Sequence, residues 1–408
     1  MQAGSMQIKY WAATDVGRKR ADNEDNFLID ENISLFIVAD GMGGHASGEV
    51  ASAIAVHTIR EVVYRERSLF DTFDPDNQED HMEVSTLLEY AVHEACSRVF
   101  HKAQLEPEKR GMGTTVVSLL LIGHHGFIAY VGDSRIYLLR EDTIYPLTED
   151  HSLMNELIRS GKLKKHEIAS SPYARYKNAM TRAVGVYETV EVDVLDFEIA
   201  AGDSFLLCSD GLYEYLDEAD IATQLSSRDT DEIPGRLIDI ANTRGGKDNI
   251  TALVIQAFGD ARGKPGVPGH SGVADVIRRV PLFLRLNFQQ LSTLRARAKL
   301  RDFTDGEKLA AEGEDNGELA VVLEGSVRLS RRGRLLRTLK QGDYFGELDL
   351  MALGKRQLSA TAQTAGRLLI ITREALYHLI EHDPRLAVKL LWGLSHELSQ
   401  QVVRSLDE

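Results

Sequence analysis

A segment rich in glycine and proline divides this chain into two parts, and it constrains the fold more than any other sequence feature. Residues 259–272 contain five glycines and two prolines and show no apolar periodicity. Such a composition is typical of a linker. At 408 residues the chain is also longer than a single hydrophobic core usually serves. We therefore predict a domain at residues 6–258, a linker at 259–275 and a second domain at 276–408.

The composition excludes several classes of protein. Hydrophobic residues make up 43% and charged residues 27%, and no run of about 18 apolar residues could span a bilayer. The net charge of -15 argues against nucleic acid, which needs a basic surface. Cys96 and Cys208 are the only cysteines, and residues 1–14 lack an export signal. We predict a cytoplasmic protein without a membrane or nucleic-acid partner; whether residues 1–5 are native stays open.

The first part of the chain mixes strand and helix patterns. Apolar runs rich in Val, Ile and Phe predict strands at residues 35–39, 115–122, 127–131, 136–139, 203–208 and 250–256. Apolar residues at helical spacing predict helices at residues 49–65, 87–102 and 153–160. The acidic stretch 71–83 predicts an exposed loop. Because several strands follow one another as in hairpins, we expect an α+β fold with an antiparallel sheet core flanked by helices.

Four aspartates follow or precede apolar runs beside small or polar residues. They are Asp40, Asp133, Asp210 and Asp248. One such position alone is a common turn. If the strand ends converge at one edge of a sheet, however, the carboxylates lie close together and need protons or cations. Oxygen ligands favour Mg²⁺ or Mn²⁺, and no His/Cys cluster suggests zinc. We predict two or three ions that bind a phosphoryl group and activate water for its hydrolysis.

A basic residue accompanies an acidic pair near the N-terminus. Arg20 lies four residues before Glu24, and Asp25 follows directly. A guanidinium can fork to two phosphate oxygens. The segment therefore suits binding of a phosphate by Arg20 and of a metal ion by the acidic pair.

These motifs, in this order, resemble the metal-dependent (PPM-type) serine/threonine phosphatases in their bacterial form, over residues 8–257. The resemblance implies a helix-flanked β-sandwich with a metal cluster at one end. It also implies hydrolysis of phosphoserine and phosphothreonine on proteins, with a cognate serine/threonine kinase as a further partner. The matching motifs begin at Arg20, Asp40, Gly111, Val131, Leu147, Thr181, Asp210 and Asp248.

The resemblance further implies roles for single residues. Asp40 bridges the two main ions and shares one of them with Asp210 and Asp248. The other ion is held, directly or through water, by the Gly41 carbonyl and by Glu24 and Asp25.

A third ion and a general acid follow from the same resemblance. Asp133 and Asp210, helped by Glu214, match the third-metal site, although Glu214 could equally be a surface residue at a helix start. His45 matches the general acid for the departing alkoxide. The alternative for His45 is a capping or surface histidine.

The C-terminal part predicts a small β-roll with flanking helices, and it resembles cyclic-nucleotide-binding domains over residues 276–402. Gly346, Glu347 and Leu348 match the turn that cradles the cyclic phosphate. The family places its phosphate-binding arginine directly before the pair that is Ser359-Ala360 here, but Leu358 occupies that position. Arg356 could substitute from two residues away. Cyclic nucleotide is therefore a doubtful cofactor, and a degenerate docking or dimerisation module is the alternative.

The last helical pattern places several leucines on one face. Leu390, Leu391, Leu394 and Leu398 share it. Packing within the domain and a homodimer seam are the two interpretations. For the whole chain we predict a protein phosphatase regulated through its C-terminal domain. The alternative is a catalytically silent phosphoprotein-binding scaffold, whose C-terminal domain would serve dimerisation or docking.

Overall fold

A computed structural model describes residues 6–43, 47–75, 77–176, 179–227, 229–258, 276–277, 279–286, 288–314, 317–351 and 355–406. The chain forms two compact units, Met1–Asp260 and Ala261–Glu408. The predicted linker, residues 259–275, lies outside the described residues. Within those residues, no helix is both long enough and apolar enough to cross a membrane.

The first unit is built on two antiparallel sheets. The five-stranded sheet has the spatial order β1-β11-β10-β7-β8, with bounds β1 Gln7–Asp15, β7 Arg135–Arg140, β8 Thr143–Pro146, β10 Ser204–Cys208 and β11 Ile250–Phe258. The second sheet has the order β2-β3-β5-β6-β9, and a short strand β4 pairs with β3. Its bounds are β2 Asp25–Asp30, β3 Leu35–Met42, β4 Gly113–Thr114, β5 Val116–Ile122, β6 His125–Val131 and β9 Asp193–Glu198.

Apolar side chains hold the two sheets together. The rings of Tyr10 and Phe36 lie 5.5 Å apart, and those of Phe197 and Phe205 lie 5.8 Å apart. Each pair joins a strand of one sheet to a strand of the other. Burying a large apolar side chain contributes about 1.5–3 kcal/mol, so this inner layer is a main source of stability. The predicted antiparallel sandwich is confirmed.

Helices cover the outer face of each sheet. They are α1 Ser47–Arg65, α2 Ser68–Asp71, α3 Gln78–Leu105, α4 Leu153–Arg159, α5 Asp210–Tyr213, α6 Glu218–Leu225 and α7 Ile233–Arg244. Helices α1 and α3 bury residues such as Ile59 and Leu88 against the β3 side. Helices α6 and α7 bury Ile221 and Leu237 against the five-stranded sheet.

The start of α3 corrects one prediction. Residues 78–83 belong to this helix rather than to a loop. Asn77 caps it by accepting a hydrogen bond from the Glu79 amide, and Glu79 and Asp80 lie in its first turn. Acidic side chains are favoured there by the helix dipole, so the negative charge that suggested a loop marks a helix start.

The second unit is a β-roll with helices. Its sheet has the order β12-β17-β14-β15, while β13 pairs with β17 and β16 with β14. The bounds are β12 Lys299–Phe303, β13 Lys308–Ala310, β14 Glu318–Arg331, β15 Arg334–Leu339, β16 Tyr344–Phe345, β17 Ser359–Thr372, α8 Phe288–Arg297, α9 Glu347–Met351, α10 Arg373–His382 and α11 Pro384–Leu406. Leu390 and Leu394 of α11 are buried in the core of this unit, so packing within the domain accounts for them.

Candidate metal centre

Two neighbouring strands bring the first acidic residues side by side. Asp25 begins β2 and pairs directly with Asp40 on β3. The Asp40 amide donates to Thr115 Oγ1 at 3.0 Å, and the Thr115 amide donates to the Asp40 carbonyl at 2.9 Å. The Thr114 hydroxyl donates to the same carbonyl at 2.9 Å. The backbone of Asp40 is thus held by the next segment of the same sheet.

Asp25 is a buried carboxylate with only one oxygen satisfied. Ser209 Oγ and Thr251 Oγ1 each donate to its Oδ2 at 2.7 Å. Its Oδ1 is buried and accepts no hydrogen bond from any residue that the structure describes. Burial raises the pKa of Asp25 to about 6. A buried oxygen left without a partner costs free energy, so this atom needs a proton or a cation.

The remaining aspartates come from both sheets rather than from one edge of a single sheet. Asp133 follows β6 of the six-stranded sheet. Asp210 follows β10 and begins α5, and Asp248 precedes β11, so both belong to the five-stranded sheet. The strand ends of the two layers therefore supply one acidic cluster at an end of the sandwich.

Burial and mutual repulsion raise the pKa of these carboxyls. The pKa of Asp40 lies well above its ordinary value because the group is buried and because Asp25, Asp210, Asp133 and Asp248 surround it. Burial and the neighbouring carboxylates raise the pKa of Asp210 to about 8. The pKa of Asp133 is raised to about 6, mainly by burial. Like charges held this close favour either protonation or bound cations.

The cluster is open rather than a closed cage. Of the residues that the structure describes, no three acidic, histidine or cysteine side chains are arranged to hold a metal ion by themselves. Mg²⁺ usually keeps several water ligands and takes only one or two carboxylates from a protein. The all-oxygen donors, their mutual repulsion and the orphaned Asp25 oxygen therefore fit hydrated divalent cations.

Glu24 and Gly41 lie where β2, β3 and α1 meet. The Gly41 amide donates to the Glu24 carbonyl at 3.2 Å, and the Gly48 amide at the start of α1 donates to Glu24 Oε1 at 3.2 Å. A Cβ on Gly41 would stand 2.2 Å from the Gly48 carbonyl oxygen. Only glycine fits at position 41, and one oxygen of Glu24 is already used to hold α1.

Arg20 is half exposed and paired with a predicted metal ligand. Its Nη2 donates to Asp248 Oδ2 at 2.7 Å, with 49% of the Arg20 side chain exposed. Exposed ion pairs are worth about 0–1 kcal/mol, so separating this pair costs little free energy.

Of the two remaining predicted site residues, the structure describes Glu214 but not His45. Glu214 is exposed, caps α5, and adds to the repulsion on Asp210, which places it at the rim of the cluster. His45 lies outside the described residues, so its role as general acid stays a prediction.

Sequence reasoning missed the residue that ties this end of the sandwich together. Asn249 Oδ1 accepts from the Glu24 amide at 2.8 Å, and its Nδ2 donates to the carbonyls of Val16 and Asp22 at 3.0 and 2.9 Å. Ser209 and Thr251, which position Asp25, were missed as well. Ser209 directly precedes Asp210 and Thr251 lies three residues after Asp248, and this closeness in sequence is the one signal that could have identified them.

A second missed group holds Asp133 in place. The Tyr213 hydroxyl donates to the Asp133 carbonyl at 2.8 Å, and the Arg135 guanidinium lies 3.6 Å from the Tyr213 ring centre. Arg135 also forms a two-point ion pair with Asp150 at 2.8 and 2.7 Å. The turn after β6 is therefore fixed by contacts to α5 and to the segment after β8.

In the C-terminal unit, the turn that resembles a phosphate cradle is formed. Gly346 has φ of 89°, and a Cβ there would meet the Glu318 carbonyl oxygen at 2.2 Å. Glu347 is buried at the start of α9, whereas Leu348 is 48% exposed.

Arg356 is occupied by contacts within the protein. Its Nε donates to Asp349 Oδ2 at 2.9 Å and its Nη2 to the Glu318 carbonyl at 3.2 Å, and only 3% of the residue is exposed. Leu358 packs against the apolar core of the roll. Ser359 Oγ accepts from the Glu312 amide at 3.0 Å, and Ala360 is fully buried.

Comparisons with known proteins agree with this architecture. The family model described as Protein phosphatase 2C matches residues 16–249, and the one described as Cyclic nucleotide-binding domain matches residues 300–383. The serine/threonine phosphatase stp of Listeria innocua is 40% identical over 247 residues, which cover 60% of this chain and 93% of the relative. The serine/threonine protein phosphatase PstP of Mycobacterium tuberculosis is 33% identical over 250 residues, covering 61% of this chain and 45% of the relative.

A solved structure is also similar. The catalytic domain of the serine/threonine protein phosphatase PstP, in complex with two manganese ions, is 31% identical with a TM-score of 0.52. It covers 62% of this chain and 100% of that domain.

Proposed function

The chain belongs to the protein phosphatase 2C family and is a protein serine/threonine phosphatase, and we propose that two or three Mg²⁺ or Mn²⁺ ions at the acidic cluster support its reaction. The observation that carries this proposal is the buried Asp25 carboxylate, one oxygen of which has no partner among the described residues, at the position directly opposite Asp40 on the neighbouring strand. The two manganese ions in the solved catalytic domain of PstP support the choice of metal.

Asp40, Asp210 and Asp248 would hold one ion, and Asp40 with the Gly41 carbonyl, Glu24 and Asp25 would hold the next, directly or through water. Asp133 and Asp210, with Glu214 at the rim, would hold a third. Bound cations would polarise the phosphoryl group and lower the pKa of coordinated water.

The protein's own residues bind and orient the substrate phosphate. Arg20 stands at the rim beside Asp248, half exposed, and a guanidinium in that position can donate two hydrogen bonds to phosphate oxygens. The hydroxyls of Ser209 and Thr251 fix one oxygen of Asp25, so the other stays directed away from them. His45 is proposed to give a proton to the departing serine or threonine oxygen.

A phosphate-release assay tests this proposal. Full-length protein is mixed with a phosphothreonine peptide in Mn²⁺, in Mg²⁺, and in a chelator. We expect turnover with either cation and none in the chelator, with full recovery when Mn²⁺ is added back. Turnover that persists in the chelator would exclude the metal proposal, and binding of the peptide without turnover would favour the silent scaffold.

We also propose that the C-terminal unit regulates the phosphatase with little or no affinity for cyclic nucleotide. The support is the packing of Leu358 against the apolar core and the engagement of Arg356 by Asp349. The proposed partners are phosphorylated proteins and a cognate kinase in the cytoplasm. Both cysteines are free and buried, as expected for a reducing compartment.

A further inference from the structure

The hairpin formed by β14 and β15 carries a concentrated positive charge. Residues 328–340, here called the basic hairpin, contain five arginines and one lysine and no acidic residue, in a chain with a net charge of -15. All six are exposed: Arg328, Arg331, Arg332, Arg334, Arg337 and Lys340.

The guanidinium groups of this hairpin lack acidic partners in the described part of the chain, although Glu312 Oε2 accepts a hydrogen bond from the Arg332 backbone amide at 2.7 Å. Among the residues that the structure describes, no carboxylate forms an ion pair with these arginines. Arg331 instead lies directly opposite Arg334 across the two strands. Like charges in that position destabilise a two-stranded ribbon, so the arrangement is not explained by the stability of the fold.

The same hairpin exposes apolar side chains on a sheet edge. Strand β15 is the last strand of its sheet within the described residues. Its register against β14 shifts between Leu329 and Ser330, which marks a bulge at Leu336. Leu335 and Leu336 are 55% and 52% exposed. Charged side chains and bulges usually protect an edge strand from pairing, and this hairpin has both, but the two exposed leucines still leave apolar surface on the edge for another chain.

We propose that the basic hairpin docks an acidic, extended segment of another protein, which adds to the sheet beside β15. Backbone pairing along the open edge would supply affinity, the arginines would bind carboxylates, and the two leucines would contact apolar side chains. A lipid surface fits less well, because an open strand edge finds no hydrogen-bond partner in a bilayer. Nucleic acid also fits less well, because residues 328–340 contain no aromatic side chain on which bases could stack.

Binding of a synthetic peptide to the full-length protein tests the proposal. The probe is a fluorescent peptide of alternating glutamate and valine, followed by anisotropy at neutral pH. The Arg331→Glu/Arg334→Glu variant should raise its Kd by about tenfold or more. The control, Lys299→Glu/Lys308→Glu, makes the same charge change at exposed lysines of β12 and β13 and should leave the Kd unchanged.

Further measurements separate the contributions and the alternatives. Leu335→Ser/Leu336→Ser should weaken binding, and methylation of alternate peptide amides should abolish it. The arginine variant and its control should keep the wild-type Tm and the wild-type hydrolysis of p-nitrophenyl phosphate. The proposal is overturned if wild type binds no peptide, if the control variant loses as much affinity, or if a lysine-valine peptide binds equally well. Binding to anionic lipid vesicles or self-association through β15, without peptide binding, would overturn it too.

Discussion

Asp25 shows at the level of one residue why this acidic cluster needs a proton or a cation. Two hydroxyls satisfy its Oδ2, yet its Oδ1 is buried without a partner among the described residues. A structural carboxylate would have both oxygens paired, as Asp203 has with Arg140 at 2.8 and 2.6 Å. Within the same unit, Asp203 therefore stabilises the fold, whereas Asp25 keeps one oxygen available for a ligand.

Replacing a single shared carboxylate should abolish activity while preserving the fold. We expect Asp40→Asn or Asp210→Asn to lower phosphate release from a phosphothreonine peptide below about one-tenth of wild type, because loss of an outer-shell partner alone costs about 10–100-fold. The Tm in chelator should not fall, since each change removes a repelling charge from a buried site. Activity above that level, with the fold intact, would refute the metal assignment.

Arg20 should act mainly in substrate binding. Arg20→Ala removes a rim guanidinium that can bind phosphate, so we expect KM for the phosphopeptide to rise with little change in kcat. Arg20→Lys serves as the control, because it keeps the charge but loses the two-point geometry. A fall in kcat with unchanged KM would instead place Arg20 in the transition state.

At the level of elements, the continuous apolar runs were predictable and the half-buried strands were not. Strands β5, β6 and β10 are buried along their whole length, which leaves a clear sequence pattern. Strand β1 is only half buried and pairs with β11 near the other end of the domain, from Gln7 opposite Phe258. A short stretch of sequence does not reveal this pairing of β1 with β11, because strand preference depends on neighbours that are distant in sequence.

The same reason separates the acidic residues that the sequence predicted from the hydrogen-bonding residues that it missed. Asp40 and Asp210 lie in short motifs that can be read locally. Asn249, by contrast, acts through contacts with Val16, Asp22 and Glu24, which only the folded chain brings together. Sequence therefore identified the charged centre but not the hydrogen bonds that hold it.

The β-roll should bind cyclic nucleotides weakly. Losing a buried arginine contact to phosphate costs about 2–5 kcal/mol, which is roughly a 30- to several-thousand-fold loss of affinity. Calorimetric titration of cyclic AMP and cyclic GMP should show no micromolar binding to wild type. Leu358→Arg, which restores the position of the arginine, should strengthen binding. Micromolar binding by wild type that Arg356→Ala abolishes would contradict this expectation.

For the whole molecule, the acidic cluster makes the stability of the cation-free protein depend on pH. Burial and repulsion raise the pKa of Asp25 and Asp133 to about 6 and of Asp210 to about 8, above the value of about 3.9 in an unfolded chain. The folded state therefore binds these protons more tightly than the unfolded state does. The resulting stability is fully present below the unfolded pKa and is lost as the pH rises through the folded pKa.

This linkage predicts opposite behaviour with and without cations. In chelator, the Tm should fall as the pH rises from about 5 to about 8, the window set by the raised pKa values. Saturating Mn²⁺ should raise the Tm most at the upper end of that window, because cations replace the protons. Asp210→Asn in chelator should flatten the curve. A Tm that is independent of pH and of Mn²⁺ would contradict the linkage.

The most direct test of the metal centre is the position of bound manganese in crystals of the active protein. Anomalous difference maps collected at the manganese edge, from crystals grown in Mn²⁺, should show two or three peaks beside Asp40, Asp210 and Asp248, with one peak within reach of Asp25 Oδ1. The peaks should disappear after soaking in chelator, together with phosphatase activity in the same preparation. Active protein without peaks at these carboxylates, or with manganese bound elsewhere, would contradict the account.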